Sequence, residues 1–214
     1  MPLFLFSYFR FTYAIIQTDI QAQIREEIIL QAKAKNQVVV EIPNWYFTKL
    51  EKNNDKFDLY HSFYMQNYYN IKKIIVEPIN FNYAIIKTKK RILPYILPTD
   101  DFHVNLLCND SYVFFDEPCL VFEFDKDLKV YDKTNYKLQF RLFFIREGKE
   151  QFVCIEKSID DYTRIGNLFY YVVKLNNLGL QTIKRIDIVF NIKDPNKKSN
   201  ASFTVNFEHF EKNS

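Results

Sequence analysis

The side chains best suited to acid–base or metal chemistry are scattered along the chain. The three histidines, His61, His103 and His209, each lack a second histidine within one helical turn or one strand, so a histidine metal site would need ligands from distant segments. The densest titratable cluster, Asp100-Asp101-Phe102-His103, offers carboxylates and an imidazole for proton transfer. Because aspartate is frequent in turns and the cluster follows a proline, a polar surface turn is the favoured interpretation.

A second pattern has the order of residues found in a metal-dependent nuclease core. Such a core needs an acid before one strand and an acid-x-Lys on the next, so that carboxylates hold Mg²⁺ while lysine steadies the attacking water. Asp116, followed by Asp127-Leu128-Lys129, has this order, but the residues lie at turn-like positions in a segment rich in Asp and Lys. The sequence therefore predicts a non-catalytic protein without metal ligands or cofactor, with the nuclease as a weaker alternative.

Glycine and cysteine usage narrows the function classes further. The chain has 3 glycines in 214 residues, too scattered to form a Walker A loop or a GxGxxG dinucleotide turn. The 3 cysteines form no CxxC pair, which argues against a disulfide framework or a zinc knuckle. No window reaches the ~18 apolar residues of a membrane span, and no basic region or cleavage site accompanies the apolar residues 1–6. We expect a soluble, non-secreted protein in a reducing compartment, the cytoplasm or an organelle interior.

A basic cluster beside aromatic residues suggests contact with RNA. Single-stranded RNA is bound by cations that follow the phosphates and by rings that stack on bases. Close after Phe81 and Tyr83 in the sequence come four cationic residues, Lys87, Lys89, Lys90 and Arg91. A charged strand edge, which blocks unwanted strand pairing, is the simpler interpretation, so RNA binding is the second hypothesis.

Aromatic residues are in excess, at 18% of the chain. The segment Trp45–Tyr69 carries more rings than any simple amphipathic pattern requires, and aromatic side chains are enriched at protein interfaces. The predicted contact residues there are Trp45, Tyr46, Tyr64 and Tyr68. This segment is the predicted site of protein–protein contact.

Charge is unevenly distributed although the net charge is only +3. Residues 1–99 carry 13 basic and 8 acidic side chains (+5), whereas residues 100–145 carry 5 and 9 (−4). Opposite fields of this kind guide the docking of copies or partners. The candidate acidic docking residues are Asp100, Asp101, Asp116 and Glu117.

The first 43 residues predict a strand, a helix and a second strand. Leu3–Gln17 is rich in Phe, Tyr and Ile without a helical period, which predicts one long strand or two strands joined by a bend. Thr18-Asp19-Ile20-Gln21 fits a capping box, and apolar residues four apart predict a helix over about 19–35. Val38–Ile42 is β-branched and ends at Pro43, as an extended strand would.

The following segment is less regular. Aromatic residues three to four apart from Phe57 to Tyr68 indicate a short helix. Ile71–Glu77 and Ile79–Lys87 predict two strands interrupted at Pro78, and Ile92–Leu97 predicts an extended linker. Residues 11–18 and 81–88 share six of eight residues, but their flanks do not align, so similar strand composition is favoured over an internal repeat.

The second half predicts an antiparallel sheet. Turn signals separate short runs of aromatic and β-branched residues. These runs, the predicted strands, are Val104–Cys108, Tyr112–Phe115, Leu120–Phe124, Tyr136–Arg146 and Gln151–Glu156. Ser158–Asp161 has the residues of a helix start, and apolar spacing predicts a long helix over about 159–178. Thr182–Ile192 and Ala201–Phe210 predict a terminal hairpin.

Together these elements predict an α+β fold. A twisted, mainly antiparallel sheet is packed by two long helices, at about 19–35 and 159–178. Residues 1–98 form an N-terminal half of strand, helix, strand, aromatic segment and two strands, and residues 99–214 form a C-terminal sheet with one helix and the hairpin; a single domain is the alternative. The predicted function is a non-catalytic structural or adaptor subunit of a larger protein assembly. It has protein partners, possible RNA contact and no small-molecule substrate.

Overall fold

The structure, a computed structural model, describes residues 2–47, 56–88, 94–96, 103–109, 118–128, 136–175, 183–192 and 201–206. These residues form two compact units. The first contains residues 2–47, 56–88 and 163–167, and the second contains the remaining described residues. The chain is a mixed α and β protein with few helices and two larger antiparallel sheets, the coarse class that the sequence predicts.

The first unit begins with one long helix, α1 (Pro2–Ala34). The strand predicted over Leu3–Gln17 is therefore wrong, and so is the helix start at Thr18. The Thr18 hydroxyl donates to the Ala14 carbonyl at 2.7 Å, one helical turn earlier, as Thr12 does to Tyr8 at 3.0 Å. A threonine inside a helix satisfies its hydroxyl in this way, so a hydroxyl residue alone does not mark a helix end.

Asparagine ends α1 and the second helix, α2 (Lys56–Tyr69), in the same manner. Asn36 and Asn70 both have φ of 54°, in the left-handed region that asparagine tolerates better than most residues. The Gln37 amide donates to the Ala32 carbonyl at 2.9 Å, and the Ile71 amide to the Gln66 carbonyl at 3.0 Å. Each helix thus ends in a Schellman motif, after which the chain can enter a strand.

Two short parallel strands, joined by α2, complete the core of the first unit. β1 (Val39–Pro43) pairs in parallel with β2 (Lys73–Glu77), in a register that places Val40 beside Ile74. Their buried residues pack against Ile29 and Ala32 of α1. The predictions of a strand at 38–42, a helix at 57–68 and a strand ending before Pro78 are confirmed.

The second strand predicted in this region, over Ile79–Lys87, is wrong. The chain instead makes a turn and one short helix, α3 (Ile85–Thr88). All five residues from Phe81 to Ile85 are buried, including Asn82 and Ala84, so the alternation of buried and exposed residues expected of a half-exposed strand is absent. Residues 11–18 and 81–88 therefore begin in different conformations despite their similar sequences.

The second unit contains two antiparallel sheets. The first sheet has the order β3-β4-β5-β9, from β3 (Pro94–Ile96), β4 (His103–Asn109), β5 (Cys119–Phe124) and β9 (Leu168–Lys174). The strand that precedes β9 along the chain, β8 (Thr163–Ile165), belongs to the first unit. The second sheet has the order β11-β10-β6-β7, from β6 (Tyr136–Arg146), β7 (Lys149–Ser158), β10 (Ile183–Ile192) and β11 (Ala201–Asn206).

The two sheets share one apolar core. Leu120, Phe122 and Phe124, alternate residues of β5, lie in this core with alternate residues of β6, β9 and β10. The rings of Phe122 and Phe140 lie 4.5 Å apart between centroids. The predicted strands at 104–108, 120–124, 136–146 and 151–156 and the final hairpin are confirmed; 112–115 lies outside the described residues. Residues 94–96 of the predicted linker pair with β4 as a strand.

The long helix predicted over 159–178 is wrong. Ser158 and Asp161, taken as a helix start, close a turn in which the Asp161 amide donates to the Ser158 carbonyl at 3.0 Å. In β9, Phe169, Tyr171 and Val173 face the core of the second unit, while Tyr170 and Val172 are also buried. A strand buried on both faces is apolar throughout, so helical spacing among its residues arises without a helix.

Candidate interaction surface

Buried polar side chains fix the rotation of α1. Gln17, Gln21 and Arg25, spaced four residues apart, lie on one face of the helix and are buried. Gln21 Nε2 donates to Asn82 Oδ1 at 2.9 Å, and Asn82 Nδ2 donates to Gln17 Oε1 at 3.1 Å. The Tyr46 amide donates to Gln21 Oε1 at 3.1 Å. These directional bonds determine which face of α1 is turned inward.

Arg25 continues the same face and binds an aromatic ring. Its guanidinium carbon lies 4.1 Å from the centroid of the Trp45 ring, and the side chain is almost fully buried. A cation over an indole ring is favourable by about 2 kcal/mol when water is excluded. Trp45 is half-buried and Tyr46 is buried, so the structure places these two predicted contact residues against α1. A partner contact at either residue stays a prediction.

The first half of α1 leaves large apolar side chains in solvent. Eight of them are 51–75% exposed, and we call them the N-terminal apolar surface: Phe4, Leu5, Phe6, Tyr8, Phe9, Phe11, Ile15 and Ile16. They occupy consecutive turns of one helix. At 100° per residue, most of them lie on the side opposite Gln17 and Gln21. Burial of the polar face therefore turns these residues outward.

The N-terminal apolar surface is large for a surface that remains in water. Aromatic side chains can bury about 150–250 Å² each, and five of the eight residues are Phe or Tyr, so at these exposures the eight together leave on the order of 1,000 Å² of surface. The largest apolar patch on a typical monomeric protein is about 300–600 Å². This excess marks the surface as a candidate site for association.

The second half of α1 is different on the same side of the helix. Asp19, Gln23, Glu26 and Glu27 are exposed there, and Gln23 Nε2 donates to Asp19 Oδ2 at 3.0 Å. Charged residues on the outer face are typical of a helix in contact with water. The apolar surface thus ends between Ile16 and Asp19.

Two further aromatic residues predicted to contact partners lie on α2. Tyr64 is exposed and Tyr68 is 81% exposed. Their neighbour Tyr69 is half-buried, and its hydroxyl donates to Glu26 Oε1 at 3.1 Å. Burial and this neighbouring carboxylate raise the pKa of Tyr69. The structure thus leaves Tyr64 and Tyr68 accessible but commits Tyr69 to α1.

The predicted charged sites are only partly described. Lys87 Nζ forms an ion pair with Glu27 Oε1 of α1 at 2.5 Å. The other cations, Lys89, Lys90 and Arg91, lie outside the described residues, as do the acidic candidates Asp100, Asp101, Asp116 and Glu117. RNA contact and acidic docking therefore stay predictions.

A cleft of about 180 Å³ lies beside the end of α1 in the first unit. Its charged lining includes Lys35, Glu41 and Arg164. Arg164 Nη1 lies 3.2 Å from Glu41 Oε2, and its Nε donates to the Gly166 carbonyl at 3.1 Å. Because Arg164 is already paired and a helix carboxyl end repels anions, the cleft has little attraction for a negatively charged ligand.

A buried carboxylate on β5 of the second unit has its hydrogen bonds satisfied. Glu123 on β5 accepts from Asn105 Nδ2 and from the Tyr170 hydroxyl, each at 2.8 Å. On the core face, burial raises the pKa of Tyr171, whose hydroxyl donates to the Ile159 carbonyl at 2.5 Å. Both groups link neighbouring segments of the sheets, as buried polar groups with good partners commonly do.

Neither a metal centre nor a membrane span is found in the described ranges. No group of three His, Cys, Asp or Glu side chains there is arranged to hold a metal ion. Of the nuclease residues, Asp127 is half-buried, while Asp116 and Lys129 lie outside those ranges. Among the described helices, none combines the length and apolar character required to cross a bilayer.

The sequence pattern did not identify the N-terminal apolar surface. Periodicity detects a helix only when one face is apolar and the other polar, whereas residues 4–16 are apolar on several sides. The signal that could have indicated this surface is its composition, since few other stretches of the chain place so many large apolar residues together. A helix that is apolar on all sides is normally buried, so this composition indicates a segment that another surface covers.

Comparisons with protein-family models, curated proteins and solved structures found no match to this chain. The functional argument therefore depends on the residues and their geometry alone.

Proposed function

We propose that the protein is a non-catalytic structural or adaptor subunit of a larger protein assembly. The observation that carries this proposal is the N-terminal apolar surface on α1. Leaving on the order of 1,000 Å² of apolar side chains in water is unfavourable by about 25 cal/mol per Å², and covering them with a protein partner recovers that free energy. The surface is comparable to one side of a standard protein interface, about 800 Å².

The composition of the surface also supports a protein partner. Phe and Tyr supply most of it, and such residues bury a large area at a small cost in conformational entropy. The exposed Tyr64 and Tyr68 on α2 are a second candidate contact in the same unit. The acidic residues Asp100, Asp101, Asp116 and Glu117 are proposed to contribute charge complementarity at an interface.

We further propose that the subunit works in a reducing compartment. None of Cys108, Cys119 and Cys154 forms a disulfide in the described part of the chain, and Cys154 is exposed on β7. An exposed free thiol persists where cellular reductants keep it reduced.

The proposal is tested by photo-cross-linking in the full-length protein under native conditions. A benzoylphenylalanine placed at position 9, within the N-terminal apolar surface, is expected to form a protein adduct. The matched control is position 30, because Leu30 is an exposed apolar residue (47%) in the second half of the same helix. An adduct from position 9 but not from position 30 is the expected result.

The outcome that contradicts the proposal is equally specific. A monodisperse particle of 25.9 kDa, together with no adduct from position 9, would mean that the surface has no protein partner. In that case the adaptor function would have to be abandoned.

A further inference from the structure

One row of the N-terminal apolar surface has the spacing of a helix-pairing seam. Phe4, Tyr8, Phe11 and Ile15 follow one another at intervals of four, three and four residues. This is the a/d spacing with which two helices pack side by side. Arg10, the one charged residue among residues 4–16, lies on a different side of the helix from this row, so the positions that flank the row carry no charge before Asp19.

We propose that two copies of this chain associate through antiparallel packing of residues 4–16 of α1. The inference rests on the proposed function and names the partner of the same surface. In a twofold pair, Phe4 packs against Ile15 of the second copy, and Tyr8 packs against Phe11. Each residue of the row then has an apolar partner, as an isologous interface requires.

The available area supports a second copy as the occupant. A stable interface buries about 800 Å² on each partner, and the N-terminal apolar surface presents on the order of 1,000 Å². The row supplies four of the eight residues of this area, and Leu5, Phe9 and Ile16 extend the area on one side of the row. A helix of similar length and composition therefore covers most of the surface.

The charges after the apolar surface determine the antiparallel orientation. In a parallel pair the two helices stay side by side after Ile16, which brings the exposed outer-face carboxylates of both copies, Asp19, Glu26 and Glu27, close together. Like charges at such positions are destabilising. Because Phe4 faces Ile15 in the antiparallel pair, these carboxylates lie outside the paired residues 4–15, and those of the two copies do not meet.

The same charges argue against a lipid surface as the occupant. Helices that lie in a membrane interface are rich in Lys and Arg on their polar side, because membranes carry negative charge. Residues 2–18 contain one cation, Arg10, whose guanidinium lies 5.0 Å from the Phe6 ring. The outer face then continues with the acidic Asp19, Glu26 and Glu27.

The first experiment is sedimentation equilibrium of the full-length protein over a wide concentration range. We expect the mass to rise from 25.9 kDa to twice that value. Ile15→Glu buries an unpaired charge in the seam and is expected to weaken dimerisation at least about 100-fold, the size of effect seen at interface hot spots. Leu30→Glu, at an exposed apolar position of the second half, is the control and leaves the dimer unchanged.

A charge-pair rescue makes the test independent of general damage to the helix. Tyr8→Glu and Phe11→Lys are each expected to be monomeric alone. Mixed together they form a heterodimer, because the antiparallel register places the two new charges against each other. Failure of the mixture to associate while both variants remain folded would contradict the register.

Orientation is measured with a spin label at position 23, introduced as Gln23→Cys with Cys108→Ala and Cys154→Ser. In the antiparallel pair the two labels are separated by about 27 residues along the axis, about 40 Å at 1.5 Å per residue. A parallel pair would place them about 10 Å apart, the spacing of packed helices. The shorter distance would overturn the orientation.

The remaining outcomes separate this inference from the proposed function. A protein that stays monomeric at every concentration but forms an adduct with a different protein from position 9 overturns self-pairing and leaves the adaptor function intact. Binding of the wild type to phosphatidylcholine vesicles, lost in Ile15→Glu, overturns it in favour of lipid. A monomer with no adduct from position 9 overturns both.

Discussion

The two halves of α1 belong to one continuous helix but have opposite relations to the protein. Residues 19–34 bury Ile24, Ile29 and Ala32 and expose charged side chains. Residues 4–16 bury only Ala14 and expose eight large apolar side chains. The second half is therefore stabilised by the core of its own unit, whereas the first half has a surface suited to another molecule. Apolar composition alone therefore does not distinguish a core segment from an interface segment. The distinction is whether the apolar side chains are buried within their own unit or exposed to solvent.

The largest expected difference between the halves is in core packing. Ile29→Ala removes a fully buried side chain from the core of the first unit, and we expect a loss of about 2–5 kcal/mol in the free energy of unfolding. Ile15→Ala is the matched change at an exposed position of the first half, where we expect less than about 0.5 kcal/mol in dilute, monomeric protein. Urea unfolding of both variants measures the difference. Equal losses would mean that the first half also packs in a core.

A second comparison concerns the buried polar face. Gln21→Ala removes the side chain that joins Asn82 to the Tyr46 amide, and we expect a loss of about 1–3 kcal/mol because buried polar groups lose their partners. The control is Gln23→Ala, two residues further along, whose exposed side chain bonds only locally to Asp19. Its expected effect is below about 0.5 kcal/mol. A Gln21 effect as small as that of Gln23 would contradict the view that these bonds fix the helix rotation.

Substitutions at the C-terminal end of α1 are expected to change stability by a smaller amount. Asn36 ends α1 in the left-handed conformation, where a β-carbon without a polar group is disfavoured by about 1–2 kcal/mol. We expect Asn36→Ala to lower stability by about 1 kcal/mol, whereas Asn36→Gly is neutral or slightly stabilising. Thermal unfolding of both variants checks this, and a stable alanine variant would exclude the Schellman end.

The smallest expected effect depends on pH. Burial and the Glu26 carboxylate raise the pKa of Tyr69, so the folded protein disfavours the phenolate. The stability from this hydroxyl is complete below its ordinary pKa of about 10 and is lost as the pH rises through the raised value. Tyr69→Phe should therefore lose less stability than the wild type between pH 9 and pH 11, approximately the range in which tyrosines ionise. Parallel pH profiles would contradict the Tyr69–Glu26 contact.

The sequence predicted the antiparallel part of the fold well. In β6, Leu138, Phe140 and Leu142 are buried while Gln139 and Arg141 are half-buried, and this alternation is the signal that strand prediction needs. β6 and β7 are joined at Glu147-Gly148, where both residues adopt the positive φ of a tight hairpin, and a glycine between two strand-like segments is a turn signal that the sequence shows directly.

The failures share one physical cause. Periodicity records the difference between a buried and an exposed face, and neither residues 4–16 nor β9 has that difference. Residues 4–16 are apolar on several sides and exposed, whereas Tyr170 and Tyr171 of β9 are both buried although they point to opposite faces. Trp45–Tyr69 was predicted as an interaction segment because it is rich in aromatic residues without a clear period. The same criterion applies to residues 4–16 and would have indicated an interaction surface there.

The most direct test of the central claim is hydrogen–deuterium exchange of the full-length protein at several concentrations. We predict that backbone amides of residues 8–16 exchange more slowly as the protein concentration rises, because a second copy covers this half of α1 and suppresses its local opening. Amides of residues 21–33 should exchange at the same rate throughout, because their protection comes from the core of the first unit. Identical exchange of residues 8–16 at all concentrations, in a protein whose mass stays at 25.9 kDa, would contradict self-association through the N-terminal apolar surface.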